Sequence, residues 1–269
     1  DISRQMEDFQ EAAAGITRVE ELMAREGKIH DGALDLRTSA AAPVEFDGVT
    51  FGYSEGEPVL RDLSFRLEPG RTLGLLGRTG SGKTTITRLL FRLYDPQAGR
   101  VKVDDVDLVQ ARASDIRRRV AMVTQDVHLF RASLRDNVAL FSRDIADDAI
   151  VEVLRELGLG TWYDALPDGL DSVLESAGVG MSAGQQQLLA FARVFLRDPG
   201  VVILDEPSSR LDPATEQHVE AAVARLLHGR TGIIIAHRLA TVRRVDDVMI
   251  VEDGQIAEIG PRAALARDS

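Results

Sequence analysis

The stretch "GRTGSGKTT", Gly77 to Thr85, joins the apolar run "TLGLL" to a segment in which Ile86, Leu89, Leu90 and Leu93 fall at i, i+3, i+4 and i+7. The first pattern predicts a short buried strand and the second an amphipathic helix. Three glycines stand in the junction, where an ordinary turn needs one or two. Glycines without Cβ atoms let successive backbone N–H groups converge on an anion. The helix that follows points its positive end at the same place.

Gly77, Arg78, Thr79, Gly80, Ser81, Gly82, Lys83 and Thr84 fit the pattern G-x-x-x-x-G-K-[ST] of a phosphate-binding loop. In such a loop Lys83 reaches the β- and γ-phosphates, the Thr84 hydroxyl ligates Mg²⁺, and Thr85 adds a phosphate contact. A loop of this kind calls for an acidic partner at the end of a neighbouring strand. The segment "VVILDEP" supplies it, four apolar residues followed by Asp205 and Glu206. Asp205 is placed to hold Mg²⁺. Glu206 is placed to orient or deprotonate an attacking water. An acidic pair alone is as easily a solvated strand end.

Outward from this centre, the chain has 269 residues, 44% hydrophobic and 28% charged, enough for one large domain or two small ones. Cysteine is absent, which excludes disulfides and cysteine-based zinc sites. The net charge of −11 argues against a nucleic-acid partner, which usually meets a basic face. The longest apolar runs, such as "VVIL" and "GIIIA", are far short of a membrane span. The chain opens on "DISRQ" with no Met and reads as a piece of a longer polypeptide.

Ile2, Met6, Phe9, Ala13, Ile16 and Met23 recur at helical spacing and predict one amphipathic helix ending near residue 26. "RTSAAAP", Arg37 to Pro43, has linker composition. The expected division is therefore 1–43, helix and linker, and 44–269, the main domain. "VEFDGVTFGY" predicts two strands around an Asp47-Gly48 turn, and "VLRDLSFRLEPG" a strand stopping at Pro69-Gly70. Residues from about 127 to 195 read as mostly helical. "VVIL" and "GIII" read as buried strands separated by a helix carrying Val219, Ala222, Val223 and Leu226. "VMIVEDGQIAEIG" closes as a hairpin turning on Asp253-Gly254. The sum is an α/β fold with β-rich and α-rich additions.

Further along, "MSAGQ", Met181 to Gln185, contains a capping box, Ser182-x-x-Gln185, ahead of a helix with Leu188, Phe191, Ala192 and Phe195 on one face. A helix start with a serine hydroxyl and Gly184 is a second phosphate site. These segments, taken in order, resemble the ATP-binding cassette (ABC) ATPases over residues 44 to about 265. Tyr53 in "FGY" resembles the A-loop aromatic that stacks on adenine. Gln125 in "VTQD" resembles the Q-loop glutamine, a Mg²⁺ and γ-phosphate contact. "MSAGQ" resembles the family signature LSGGQ, with Met181 for leucine and Ala183 for the first glycine. "SRLD" resembles the D-loop, whose Asp212 also suits a helix N-cap before Pro213. His237 in "IIIAHR" resembles the switch histidine. Upstream of the signature, Ser176 stands where exporters of the family carry a glutamate.

The resemblance implies a P-loop NTPase core of RecA-like type, with an antiparallel β subdomain, an α-helical subdomain and the preceding amphipathic helix. It implies ATP and Mg²⁺ as ligands, with Tyr53, residues 77–85, Ser182, Gly184, Gln185 and Asp212 on the nucleotide. Thr84, Gln125 and Asp205 fall to the metal, and Lys83, Gln125, Glu206 and His237 to catalysis. In this family two cassettes pair head to tail, each ATP lying between one phosphate loop and the other's signature.

Three classes compete: the nucleotide-binding domain of an exporter, a soluble cassette acting on DNA or ribosomes, and a regulatory cassette that does not hydrolyse. "HLFRASLRDNV" resembles the exporter stretch after the Q-loop. The opening helix resembles the cytoplasmic end of a last transmembrane helix. No sustained heptads lie between the two Walker segments, as a DNA-repair cassette would have. A single cassette argues against the ribosomal class. Glu206 and His237 argue against the regulatory one. The exporter resemblance implies a second cassette, identical or different, membrane domains outside this chain, and a place at the cytoplasmic face of the cell membrane. The transported substrate is not encoded in this part.

Overall fold

The structure, a computed structural model, describes residues 10, 13, 15–20, 23–24, 27, 29–36, 40–175, 180–205, 213–236 and 242–268. The chain divides into two compact units, residues 1–30 and 31–269. In the first, residues 15–20 and Met23 are helical and Ala24 lies in a closing turn, its N–H donating to the Glu20 carbonyl. Ile16, Val19 and Met23 on the amphipathic stripe are exposed; Ile2, Met6 and Phe9 lie outside the described residues.

The second unit begins ahead of the expected boundary at Val44. Leu34 bridges to Ala111, and Leu36 is buried with its N–H on an Asp115 carboxylate oxygen at 3.4 Å. From there β1 (Val44–Phe51), β2 (Leu60–Leu67), β4 (Ala98–Val103) and β5 (Val106–Asp107) build an antiparallel sheet in the order β2-β1-β4-β5. "VEFDGVTF" is one strand and not the expected pair. Gly48, at φ +62°, takes a bulge that shifts the register after Phe46 against β2 and after Asp47 against β4. Its N–H is satisfied by Ser64 Oγ at 2.8 Å, so the chain passes through the kink without reversing.

The second sheet has the order β12-β11-β3-β10-β9-β6, from β3 (Thr72–Leu76), β6 (Val120–Val123), β9 (Val201–Asp205), β10 (Thr231–Ile235), β11 (Asp247–Glu252) and β12 (Gln255–Pro261). All neighbours are parallel except the closing hairpin β11–β12. That hairpin turns as expected, with Asp253 at φ +48° and Gly254 at φ +77°. Two consecutive positive φ angles make the tight turn that matches the right-handed twist of its strands.

The parallel strands are buried on both faces, which explains their unbroken apolar runs. The pleat sends alternate side chains to different layers. Val201, Ile203, Ile233 and Ile235 enter one core, with Phe46, Leu63 and Val101 of the antiparallel sheet and Ile86, Leu89 and Leu90 of α1 (Lys83–Leu90). Ile116 of α2 (Ala113–Arg119) joins them. Val202, Leu204 and Ile234 enter the other core, with helices α3 (Leu134–Ala139), α4 (Asp147–Glu156), α5 (Gly160–Asp164), α6 (Ala183–Phe195) and α7 (Pro213–Leu227). The helical region also holds a two-residue ladder between β7 (Ala132–Ser133) and β8 (Val173–Leu174). A last helix, α8 (Arg262–Asp268), follows β12.

One expected helical position departs. α1 stops at Leu90, and Leu93 is exposed. Arg92, at φ +49°, breaks the helix because its buried guanidinium is committed elsewhere, to Asp95 and to the carbonyls of Ala111 and Val109. Among the described residues no helix is long and apolar enough to cross a membrane.

Candidate active site

The glycine loop joins the end of β3 to α1 as the sequence predicts. Gly77, Gly80 and Gly82 all have positive φ, at +144°, +84° and +111°. At Gly77 a Cβ would fall 2.2 Å from the Val251 carbonyl oxygen, and at Gly82 one would fall 2.6 Å from Leu60 Cδ2. At Gly80 nothing lies within 4 Å, so the mouth of the loop is open. Gly82 is the N-cap of α1 and offers no side chain to its first N–H groups. Those donors and the positive end of the helix dipole are left for an anion.

Lys83 is buried, and its ammonium donates to the carbonyls of Gly77 at 2.8 Å and Arg78 at 2.9 Å. The cation is thus held within the loop. Ser81 Oγ is buried with no hydrogen-bond partner among the described residues. An orphaned buried hydroxyl is costly and marks a place that an oxygen-rich ligand would satisfy. Thr84 is exposed beside it, while Thr85 is buried. The loop residues Arg78 to Ser81, with Val251, Glu252 and Asp253, frame a cleft of about 330 Å³. These features fit a polyphosphate.

The hairpin tip supports the loop from beneath, a contact that sequence reading did not foresee. Gly254 N–H donates to the Ser81 carbonyl at 3.1 Å, and its own carbonyl accepts from Arg61 N–H at 2.9 Å. The Asp-Gly turn was legible; its docking was not.

Sheet order brings the acidic strand to the same edge. β10 lies between β3 and β9, and Ile235 is in register with Leu75 on one side and Asp205 on the other. Val123 pairs with Leu204, so Gln125 follows β6 off the same carboxyl edge. Ligands of open α/β sheets bind at that edge. Asp205 and Gln125 are both partly buried there. Glu206, Asp212 and His237 lie outside the described residues, as do Ser176 and Ser209.

Tyr53 follows β1 and is 46% exposed. Its hydroxyl lies 3.1 Å from Thr85 Oγ1, which brings the expected base-stacking ring and the phosphate loop together. Phe51 and Tyr94 both meet the ring edge-on, at centroid distances of 5.1 and 5.2 Å.

The second helix start is formed as predicted. Ser182 Oγ accepts from Gln185 N–H at 3.1 Å, and Ser182 N–H donates to Gln185 Oε1 at 2.9 Å. Ser182 and Ala183 are exposed and Gly184 is buried. Leu188, Phe191 and Ala192 anchor α6 in the helical core. Arg193 on the same helix donates to the carbonyls of Asn137 at 2.9 Å and His128 at 3.0 Å. Burial pulls its guanidinium below the usual arginine range. The link fixes α6 to the segment that follows Gln125.

Residues 60–209 match the ABC transporter family. The chain is 37% identical over 257 residues to an ATP-dependent lipid A-core flippase of Alcanivorax borkumensis, covering 95% of this chain and 44% of that protein. It is 40% identical over 222 residues to a fatty acid ABC transporter ATP-binding/permease protein of Mycobacterium bovis, covering 82% of this chain and 35% of that protein. A solved bacterial Atm1-family ABC exporter with ATP bound superposes with a TM-score of 0.86 at 30% identity, over 97% of this chain and 46% of that one. The chain thus spans less than half the length of these relatives. Loop, sheet order and capped second helix agree with these matches: the chain belongs to the ABC transporter family, as a nucleotide-binding domain of the exporter type.

Proposed function

We propose that the chain binds and hydrolyses ATP in a head-to-tail pair of cassettes, and that this drives export through membrane domains lying outside it. The observation that carries the reading is the separation of two phosphate-ready helix starts. α1, with the glycine loop, belongs to one layer of the sheet, and α6, with Ser182, to the other. One loop with one ligand does not need a second, exposed anion site in another layer. A partner cassette, identical or different, gives that site its use. The same composite arrangement leaves Met181 and Ala183 acting on the partner's nucleotide rather than on this chain's own.

Within one site the residues divide the work. The backbone N–H groups of residues 77–85, with Lys83 and Ser81, hold the phosphates, and Tyr53 stacks on the base. Thr84, Gln125 and Asp205 would hold Mg²⁺, which when bound neutralises charge on the phosphates and aligns them for in-line attack. Glu206 takes the proton of the attacking water, and His237 and the partner's Ser182 and Gly184 stabilise the charge that develops on the transferring group. Asp212 contacts the neighbouring site across the pair. Loss of the γ-phosphate removes the group that both cassettes grip, so the pair opens. The cassette acts at the cytoplasmic face of the membrane, with the helical subdomain passing the motion to the membrane domains.

The reading is tested by specific ATPase activity as a function of protein concentration. Activity per mole should rise as the pair forms and require Mg²⁺. Activity per mole that stays constant far below the onset of dimers would contradict it.

A further inference from the structure

Thr85 and Arg88 stand one turn apart on α1, at i and i+3, and so share a face. The Tyr53 hydroxyl bridges them. Arg88 donates to it at 3.0 Å, and Thr85 Oγ1 lies 3.1 Å on its other side. The Arg88 guanidinium carbon also lies 5.8 Å from the centre of the Tyr53 ring. Among the described residues Arg88 makes no ion pair, and the tyrosine hydroxyl is its one side-chain hydrogen-bond partner. A half-buried arginine on a phosphate-loop helix is therefore spent on a neutral phenol. A solvated arginine with no task would stay extended, because ordering its long side chain costs conformational entropy.

We propose that Arg88 is a positioning residue for base recognition: it pins the Tyr53 ring against α1, in the orientation that stacks on the adenine of a bound nucleotide. Tyr53 belongs to the loop after β1 and α1 to the parallel-sheet layer, so the pin also ties base recognition to the phosphate loop through Thr85. The inference rests on Tyr53 being the base-stacking residue of the site proposed above. It concerns the base and not the phosphates, so it separates from a general attraction of Arg88 for anions. The cation–ring contact adds to the hydrogen bond and survives only while the ring is held.

The test is equilibrium binding of ATP and of inorganic tripolyphosphate, which has the anion but no base. It uses the unmodified chain, Arg88→Ala, Arg88→Lys, Tyr53→Phe and the double variant Arg88→Ala/Tyr53→Phe. Arg88→Ala should weaken ATP binding about five- to ten-fold, the size of losing one ordinary hydrogen bond, because Arg88 acts on the base only through Tyr53. Tripolyphosphate binding should not change. Tyr53→Phe, which keeps the ring and loses the hydroxyl, should reproduce the ATP effect, and the double variant should be no worse than either single one. Arg88→Lys, which keeps a donor, should recover most of the loss. Equal weakening of ATP and tripolyphosphate would overturn the inference by making Arg88 a simple phosphate attractor. Unchanged ATP binding in Arg88→Ala, or full additivity in the double variant, would overturn it as well. Failure of the unmodified chain to bind ATP would overturn the nucleotide-site reading, and this inference with it.

Discussion

Leu75 and Asp205 stand at one level of the parallel sheet, on opposite sides of Ile235, with which both are in register. Two strand spacings, about 10 Å, therefore separate the root of the phosphate loop from the carboxylate. On the proposed reading a hydrated cation lies across that edge, held from the loop side by Thr84 and from the other by Asp205. Asp205→Asn should lower Mg²⁺-dependent ATPase activity by roughly 100-fold or more, as expected for loss of a group that holds the metal. Nucleotide binding measured in EDTA should stay near the unmodified value. Equal loss with and without Mg²⁺ would remove Asp205 from the metal site.

Lys83 and Glu206 should fail in different ways. Lys83 sits inside the loop on the Gly77 and Arg78 carbonyls, so Lys83→Ala removes part of the phosphate cradle and should weaken ATP binding itself. Glu206→Gln keeps the cradle and removes the base, so binding should persist while turnover stops. Binding isotherms and single-turnover hydrolysis on both variants check this. Hydrolysis at the unmodified rate in Glu206→Gln would exclude Glu206 as the base.

Gly254 is predicted to be a structural requirement of the phosphate loop. Its φ is +77°, and a Cβ there would lie 2.0 Å from the Val59 carbonyl oxygen. Gly254→Ala should destabilise the domain by about 1–3 kcal/mol. It should also weaken nucleotide binding, because the Gly254 N–H supports Ser81. Asp253→Asn, which suits the same turn, should be tolerated. Urea denaturation of both variants measures this. An unchanged midpoint for Gly254→Ala would contradict the docking argument.

The Leu36 amide offers a pH prediction. Asp115 accepts from that amide and from Arg118, and the hydrogen bond from Arg118 holds the carboxyl below its ordinary value. A lowered carboxyl stabilises the fold above its unfolded pKa, near 3.9, and loses that contribution as pH falls through the lower folded value. Relative to an unstructured amide at the same pH, hydrogen exchange at Leu36 should stay slow at pH 5 and quicken only below about pH 4. In Asp115→Asn it should be faster already at neutral pH. Equal protection in both proteins across that range would contradict the contact.

Local chemistry was legible in the sequence. The glycine loop, the Ser182–Gln185 capping box and the Asp253-Gly254 turn each depend on residues within a few positions of one another, and each formed as predicted. Sequence does not reveal which strands become neighbours. The place of β10 between β3 and β9, and of β11 beside β3, is set by pairings between distant segments. At Gly48 the sequence misleads, because an Asp-Gly pair fits a hairpin turn and a bulge equally well. What decides is β4 continuing alongside, where a Cβ on Gly99 would meet the Gly48 carbonyl at 2.3 Å. Residues 98–123 carry no clear periodicity. β4 there is largely exposed, which blurs its alternation, and β5 has two residues. Sequence does not single out Arg88, because nothing near it marks its contact with Tyr53. The one available signal was its i+3 spacing from Thr85.

The central claim is that one chain does not contain a whole catalytic site, and complementation between two defective chains tests it most directly. Lys83→Ala spoils the phosphate loop and leaves the signature intact. Ser182→Asp keeps a good N-cap for α6 but sets a carboxylate against the incoming phosphate. Each variant alone should be nearly inactive. Mixed in equal amounts, half of the pairs contain both variants, and each such pair has one complete site of two. About a quarter of the unmodified activity should return if the pairs are two-fold symmetric and form at random. Full activity in Ser182→Asp alone, or a mixture no more active than its separate components, would contradict a site shared between two copies of this chain.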